Sequence, residues 1–221
     1  MVAKNLKLYG MHPSTCTQKV IFTLLDKNIP FTYIPINVLK NEQKLPDHIC
    51  RNPFGKIPVL EDEEGNFLFE SLAICRYLDR LAPDVGSRLV PEGDREQAMV
   101  DQWTYCGGYN FYPNVRPIIF EKAIKPAKGL PTDEAAVVAA RALLEPVLDI
   151  YESHLSSNAY FAGEEFTLAD ISHLPYFNVL NRVQQDLISS RPALEAWFDR
   201  CTKKESWVAT MSWAKEQAAQ V

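Results

Sequence analysis

The segment Tyr9-Gly10-Met11-His12-Pro13-Ser14-Thr15-Cys16-Thr17-Gln18 joins two kinds of structure. Upstream of it, Leu6 to Tyr9 is a short apolar run that predicts a strand. Downstream, Thr15 to Asn28 predicts a helix: Thr15 and Gln18 form a T-x-x-Q capping box, and Ile21, Leu24 and Leu25 supply one apolar stripe. Asn28-Ile29-Pro30 ends that helix, and Phe31 to Ile36, rich in aromatic and β-branched residues, predicts a second strand. Val59 to Glu61 and Asn66 to Phe69 read as a strand pair across the charged turn Asp62-Glu63-Glu64-Gly65. A further helix starts near Ser71, with Ile74, Leu78 and Leu81 at i, i+4 and i+7. The order βαβ followed by ββα predicts a mixed sheet with helices on its faces.

Beyond Pro83 the pattern changes. Pro83-Asp84-Val85-Gly86-Ser87 and Pro91-Glu92-Gly93 read as a linker, and no convincing strand follows. Asp94 opens a helix, with Gln97 three residues on. Pro131-Thr132-Asp133-Glu134 opens a long one to about Ser156, with a kink expected at Pro146. Thr167 with Asp170 makes a second capping pattern, Arg191-Pro192 starts a helix through Trp197, and Glu205-Ser206 begins a last one. The expected fold class is α/β plus all-α: an α/β domain over residues 1–82, a linker over 83–93 and an all-helical domain over 94–221.

The composition narrows the function classes. A chain of 221 residues can bury one large core or two small ones. Its apolar (47%) and charged (23%) fractions are those of a globular protein, which argues against disordered, fibrous and membrane classes. The 23 Lys and Arg against 28 Asp and Glu give a net charge of −5, with no arginine-rich run, so nucleic acid is not an expected partner. No apolar stretch approaches the ~20 residues of a membrane span. Met1 to Asn5 lacks the apolar core of a secretory signal, so a cytoplasmic location is expected. The five cysteines are dispersed, without a C-x-x-C pair, and the four histidines show no ligand-like pairing; no metal site is expected.

Four segments carry chemistry. The first is the strand-turn-helix around Ser14. Backbone N–H groups and the helix dipole favour an anion at such a point. A free thiol, with a pKa near ~8.5, is only a few per cent thiolate at neutral pH. A hydroxyl donor aimed at sulfur lowers that pKa, each unit corresponding to about 1.4 kcal/mol. Ser14 offers such a donor, although the ordinary reading of a serine there is a cap or a turn residue. The second segment, Asn52-Pro53-Phe54-Gly55-Lys56-Ile57-Pro58-Val59, runs an Ile-Pro bond into a strand; composition leaves that bond's isomer open. In the third, Phe69-Glu70-Ser71-Leu72-Ala73-Ile74, Glu70 can accept from an ammonium group while Ser71 can donate to a carboxylate, a combination that fits an amino-acid head group; a plain helix cap is the alternative. The fourth, Lys40-Asn41-Glu42-Gln43-Lys44, is a polar loop in which Gln43 and Lys44 can hold a second carboxylate, or simply a solvated charged loop.

In this order, within one small α/β unit, the four segments resemble the glutathione-binding domain of the cytosolic glutathione transferases. The resemblance covers nearly the whole chain and is greatest to the phi class. It rests on YGMHPSTCTQKV, NEQKLPDHICRNPFGKIPVLED and LFESLAICRYLDR, together with FAGEEFTLADISHLPYFNVL and RPALEAWFDRCTKKESW in the helical half. It implies a thioredoxin-like N-terminal domain followed by an all-helical C-terminal domain, in a homodimer, with glutathione as co-substrate and no metal.

Residue by residue, the resemblance implies that Ser14 stabilises the glutathione thiolate and that Gln43 and Lys44, with Lys56 nearby, bind its glycine carboxylate. Ile57, before a cis Pro58, would pair its main chain with the cysteinyl backbone, and Glu70 and Ser71 would hold the γ-glutamyl group. Many phi-class proteins have histidine where this chain has Gln43, which implies a weaker contact there. An electrophile site is expected between Met11 and His12 and the aromatic stretch containing Tyr109, Phe111 and Phe120, although aromatic residues in a helical domain are commonly core. Thr167 and Asp170 resemble a folding element. The implied activity is conjugation of the thiolate to small hydrophobic electrophiles, with reduction of hydroperoxides beside it. Two alternatives remain at this point: thiol transfer through Cys16, and a non-catalytic carrier of apolar ligands. Phe54 is the expected anchor of the dimer.

Overall fold

The structure is a computed structural model that describes residues 5–218. It divides into two compact units, Met1–Leu89 with Lys204–Val221, and Val90–Lys203. This differs from the expected division at 82 and 94. The C-terminal helix Glu205–Ala218 belongs with the first unit, where Trp207 meets Phe22 at 6.4 Å between ring centroids and Trp213 stands edge-on to Tyr33 at 4.8 Å.

The first unit runs β1 (Leu6–Gly10), α1 (Thr15–Asp26), β2 (Phe31–Pro35), α2 (Pro46–Arg51), β3 (Val59–Glu61), β4 (Phe67–Phe69) and α3 (Ser71–Leu81). The strand order is β2-β1-β3-β4. β1 and β2 are parallel and therefore need a crossover, which α1 supplies; β3 and β4 are antiparallel neighbours closed by the predicted charged turn. This is the mixed sheet the patterning requires. Leu6 and Leu8 of β1, Val20, Ile21 and Leu24 of α1, and Ile74 and Leu78 of α3 are fully buried. Each contributes roughly 1.5–3 kcal/mol relative to exposure, and the stripe periodicity of α1 and α3 is the cause. A buried ion pair lies in this core: Lys27 Nζ is 2.6 Å from Asp79 Oδ1.

The register sets up the site. Val59 is paired with Tyr9 on one side and with Phe69 on the other, so the C-terminal ends of β1 and β4 and the N-terminal end of β3 coincide at one end of the sheet. The chain segments holding Ser14, Ile57-Pro58 and Glu70-Ser71 all leave from that end.

The second unit is helical: α4 (Asp94–Cys106), α5 (Tyr112–Ile119), α6 (Lys125–Ala127), α7 (Glu134–Leu155), α8 (Leu168–Val183), α9 (Asp186–Ser189) and α10 (Pro192–Thr202), with π-helical turns at Gly107–Phe111 and Phe120–Ile124. Its core is aromatic, with Phe111 stacked on Phe177 at 4.7 Å and Tyr151, Phe161 and Trp197 packed around them. The Thr167/Asp170 capping box forms as expected. The buried Asp170 carboxylate accepts from the N–H groups of Thr167 (2.8 Å) and Phe161 (3.1 Å) and from Trp197 Nε1 (2.8 Å). Burial nonetheless pushes this carboxyl up to about 6, against those donors. No helix among the described residues is long and apolar enough to cross a membrane.

Candidate functional site

Ser14, not Thr15, is the N-cap of α1. Its backbone is extended (φ −69°, ψ 123°), its N–H donates to the Met11 carbonyl at 2.9 Å, and its Oγ accepts from the Thr17 N–H at 3.4 Å. The expected Thr15/Gln18 box is therefore displaced by one residue. Gln18 instead donates its side-chain amide to the His12 carbonyl at 3.2 Å, bracing the turn. Capping uses a lone pair of the serine oxygen and leaves its proton uncommitted. The cap and a hydroxyl donor for an anion are thus compatible in one side chain. Gly10 permits this turn to sit against the helix, since a Cβ there would lie 2.6 Å from Thr17 Cγ2.

At the start of α3, Glu70 takes the left-handed region (φ 69°, ψ 107°) and gives no side-chain cap; Ser71 is the first helical residue and is buried. The routine-cap reading of this pair does not hold. Among the described residues no side chain caps the first turn of α3, and the dipole at such a helix start favours an anion. A positive φ at a non-glycine residue costs on the order of 1–3 kcal/mol, a strain commonly found at ligand sites.

Between these helix starts lies the third element. The Ile57-Pro58 bond is cis. The Ile57 side chain packs against the cluster of Tyr9, Ile36 and Val59, while its main-chain N–H and C=O carry no hydrogen bond among the described residues. Gly55 (φ 56°) brings the segment against the short 3-10 turn Glu42–Lys44: a Cβ at Gly55 would stand 2.8 Å from the Gln43 carbonyl oxygen. Lys44 Nζ donates to the Phe54 carbonyl at 3.1 Å. Gln43 is nine-tenths buried, with Oε1 lacking a partner among the described residues. The Lys56 side chain is exposed. Within the first unit, then, Gln43, Lys44, Lys56 and Ile57 are gathered in one place. Sequence reasoning gave no role to Gly55, Asn52 or His48, which hold this loop. A glycine between two turn-forming prolines was the available signal.

The residues expected around an electrophile divide. Met11 and His12 are half-buried in the turn before Ser14, and burial pushes the His12 imidazole below its usual value. Tyr109 and Phe120 are exposed on the second unit. Phe111 is not available for such a site: it has no exposed surface and is enclosed by Tyr151, His173, Tyr176 and Phe177. Cys16 is half-buried in the first turn of α1, and burial pushes the Cys75 thiol up to about 12. Among the described residues no group of His, Cys, Asp and Glu could hold a metal.

A mixed four-stranded sheet with a hydroxyl capping its first helix, continued by a helical unit, is the architecture of a glutathione S-transferase, and the chain belongs to that family. The N-terminal domain of glutathione S-transferases matches residues 4–80, and the C-terminal domain matches residues 111–205. Among its relatives is glutathione S-transferase F12 of Arabidopsis thaliana, 37% identical over 209 residues, 93% of this chain and 97% of the relative. The crystal structure of glutathione transferase F2 from Populus trichocarpa superimposes with a TM-score of 0.90 at 36% identity, covering 96% of this chain and 99% of that one. Glutathione S-transferase I from maize, in complex with an atrazine glutathione conjugate, gives 0.86 at 31% identity, covering 96% and 98%. The similarity to the plant phi class extends over both units.

Proposed function

We propose that this chain conjugates glutathione to small hydrophobic electrophiles, with Ser14 as the residue that keeps the bound sulfur ionised. The observation that carries this assignment is the N-cap geometry of Ser14, whose oxygen accepts from Thr17 while its proton is free to donate. Glutathione offers the rest of the site what it lacks. Its γ-glutamyl carboxylate suits the uncapped first turn of α3 with Ser71, and its ammonium group suits Glu70. Its cysteinyl backbone suits the unpaired main chain of Ile57, and its glycine carboxylate suits Gln43, Lys44 and Lys56. In the reaction the thiol proton leaves to solvent, the thiolate attacks an electrophilic carbon, a C–S bond forms and the leaving group departs with the bonding electrons. The conjugate bound to the maize relative is a product of the kind expected here.

Met11 and His12, in the turn before Ser14, are the side chains of the first unit that we assign to the electrophile. Reduction of organic hydroperoxides by the same thiolate is a secondary activity of the proposal. Thiol transfer through Cys16 fits less well, because Ser14 and not Cys16 occupies the capping position. We also propose a cytoplasmic homodimer in which Phe54, 61% exposed and braced edge-on by Phe69 at 6.0 Å, enters the partner. The test of the central assignment is the ultraviolet titration of enzyme-bound glutathione in the intact protein and in Ser14 variants.

A further inference from the structure

The loop that carries Ile57 is held from behind by two buried side chains. His48 in α2 and Asn52 at its end are each 2% exposed. His48 Nε2 lies 2.9 Å from the Lys56 carbonyl oxygen, and Asn52 Nδ2 donates to the same oxygen at 2.9 Å. A carbonyl can only accept, so Nε2 carries the imidazole proton. Both lone pairs of the Lys56 oxygen are thereby used. The Lys56-Ile57 peptide is planar and trans, so its C=O and N–H point in opposite directions. Fixing the oxygen fixes the direction of the Ile57 N–H, the one that has no partner of its own among the described residues. A doubly bonded carbonyl also polarises its amide, making that N–H a stronger donor. Packing alone does not account for an imidazole here. Its Nδ1 is buried without a partner among the described residues, a cost that an apolar side chain of the same size would avoid.

We infer that His48 is a positioning residue for glutathione, aiming the Ile57 amide at the cysteinyl carbonyl through the Lys56 peptide. The inference rests on the proposed glutathione site. H48F keeps the volume and removes the donor, whereas H48Q keeps an amide donor of similar reach. The expected result for H48F is a three- to tenfold rise in KM for glutathione, about the worth of one neutral hydrogen bond. Its kcat and its KM for the electrophile should stay within about twofold of the parent, and H48Q should restore most of the affinity. In the absence of glutathione, the Ile57 amide resonance of H48F should move upfield, while that of H48Q stays near its parent position. Should H48F not fold, H48M is the donor-free variant. Equal KM values in H48F and the parent, an equal rise in H48F and H48Q, or an unmoved Ile57 amide would each overturn the inference. A moved amide in a parent protein that binds no glutathione would keep the peptide linkage but overturn its role and the glutathione reading together.

Discussion

Removing the Ser14 hydroxyl perturbs two interactions of very different size, and they can be separated. As a cap, Ser14 gives a long 3.4 Å bond to the Thr17 N–H, so its loss sits at the low end of the usual capping range, about 0.5 kcal/mol. In its proposed role as donor to a thiolate it would make a charge-assisted bond worth about 1.5–3 kcal/mol, equivalent to roughly one to two pKa units of the bound thiol. A thiol brought from ~8.5 to ~6.5 is about three-quarters ionised at pH 7; returned to ~8.5 it is about 3% ionised. In Ser14→Ala, kcat with saturating glutathione and an activated aryl halide should therefore fall about 10–30-fold at pH 7. The loss should shrink as pH rises, because the group whose pKa was depressed regains its anion above the new value. Above both pKa values the variant should match or slightly exceed the parent, since the more basic thiolate is intrinsically the better nucleophile. Ser14→Gly, which removes the hydroxyl at only a few tenths of a kcal/mol of capping cost, should show the same shifted profile. Titration of the bound thiol by ultraviolet absorbance, alongside the pH–rate profile, decides the matter. A rate loss that is uniform in pH, with an unmoved thiol titration, would refute the assignment and reduce Ser14 to a cap.

Four further outcomes follow from particular contacts. Gly55→Ala places a Cβ 2.8 Å from the Gln43 carbonyl at φ 56°, and should lower the urea midpoint by an amount worth about 1–3 kcal/mol while raising KM for glutathione. Lys27→Met removes the lysine cation 2.6 Å from the buried Asp79 carboxylate and should destabilise the protein, by up to about 3–5 kcal/mol, read by thermal melting. The Cys75 thiol, raised to about 12 by burial, favours the protonated native state. Its stabilising contribution is complete below the unfolded value near ~8.5 and is lost as pH rises toward 12, so native Cys75 should resist maleimide at pH 8 while exposed Cys50 reacts, as peptide mass spectrometry would show. For Asp170 the sign is the same: its carboxyl is raised to about 6, so its contribution falls between about pH 4 and 6. Asp170→Asn should flatten that part of the denaturation profile while lowering stability throughout, because the Trp197 and main-chain donors lose an anion.

The elements legible in the sequence are those written in local periodicity. The apolar stripe of α1, the β-branched run of β2, the charged turn between β3 and β4 and the Thr167/Asp170 box all lie within a few residues of the structure they specify. What escaped was of another kind. The helical phase of the aromatic segment is reset by π-helical turns at Gly107–Phe111 and Phe120–Ile124, whose wider turn shifts every later residue around the axis. A 3.6-residue template separates Tyr109 from Phe111 but, in a segment aromatic on both faces, does not say which of the two faces the core, and the structure buries Phe111 while exposing Tyr109. The C-terminal helix advertises an apolar face but not which core will receive it. Trp207 and Trp213 meet Phe22 and Tyr33, 185 and 180 residues back along the chain.

The candidate site shows the same division between what is local and what is not. Ser14, Glu70-Ser71 and Ile57-Pro58 were recognisable because each is a strand end or a helix start, and such ends have compositional signatures. Their convergence required the register that sets Val59 between Tyr9 and Phe69, a fact about pairing that no single segment contains. The second layer was less visible still. His48 acts on the proposed ligand only through a peptide group that belongs to Lys56, so its side chain leaves no mark at the site surface. In the proposed site the Ser14 hydroxyl meets the sulfur once the ligand backbone is seated beside it, and the Asn52 donor to the Lys56 carbonyl keeps that seat when His48 is changed. There the Lys56-Ile57 peptide would hold the cysteinyl backbone while the Ser14 hydroxyl would act on the charge of the sulfur.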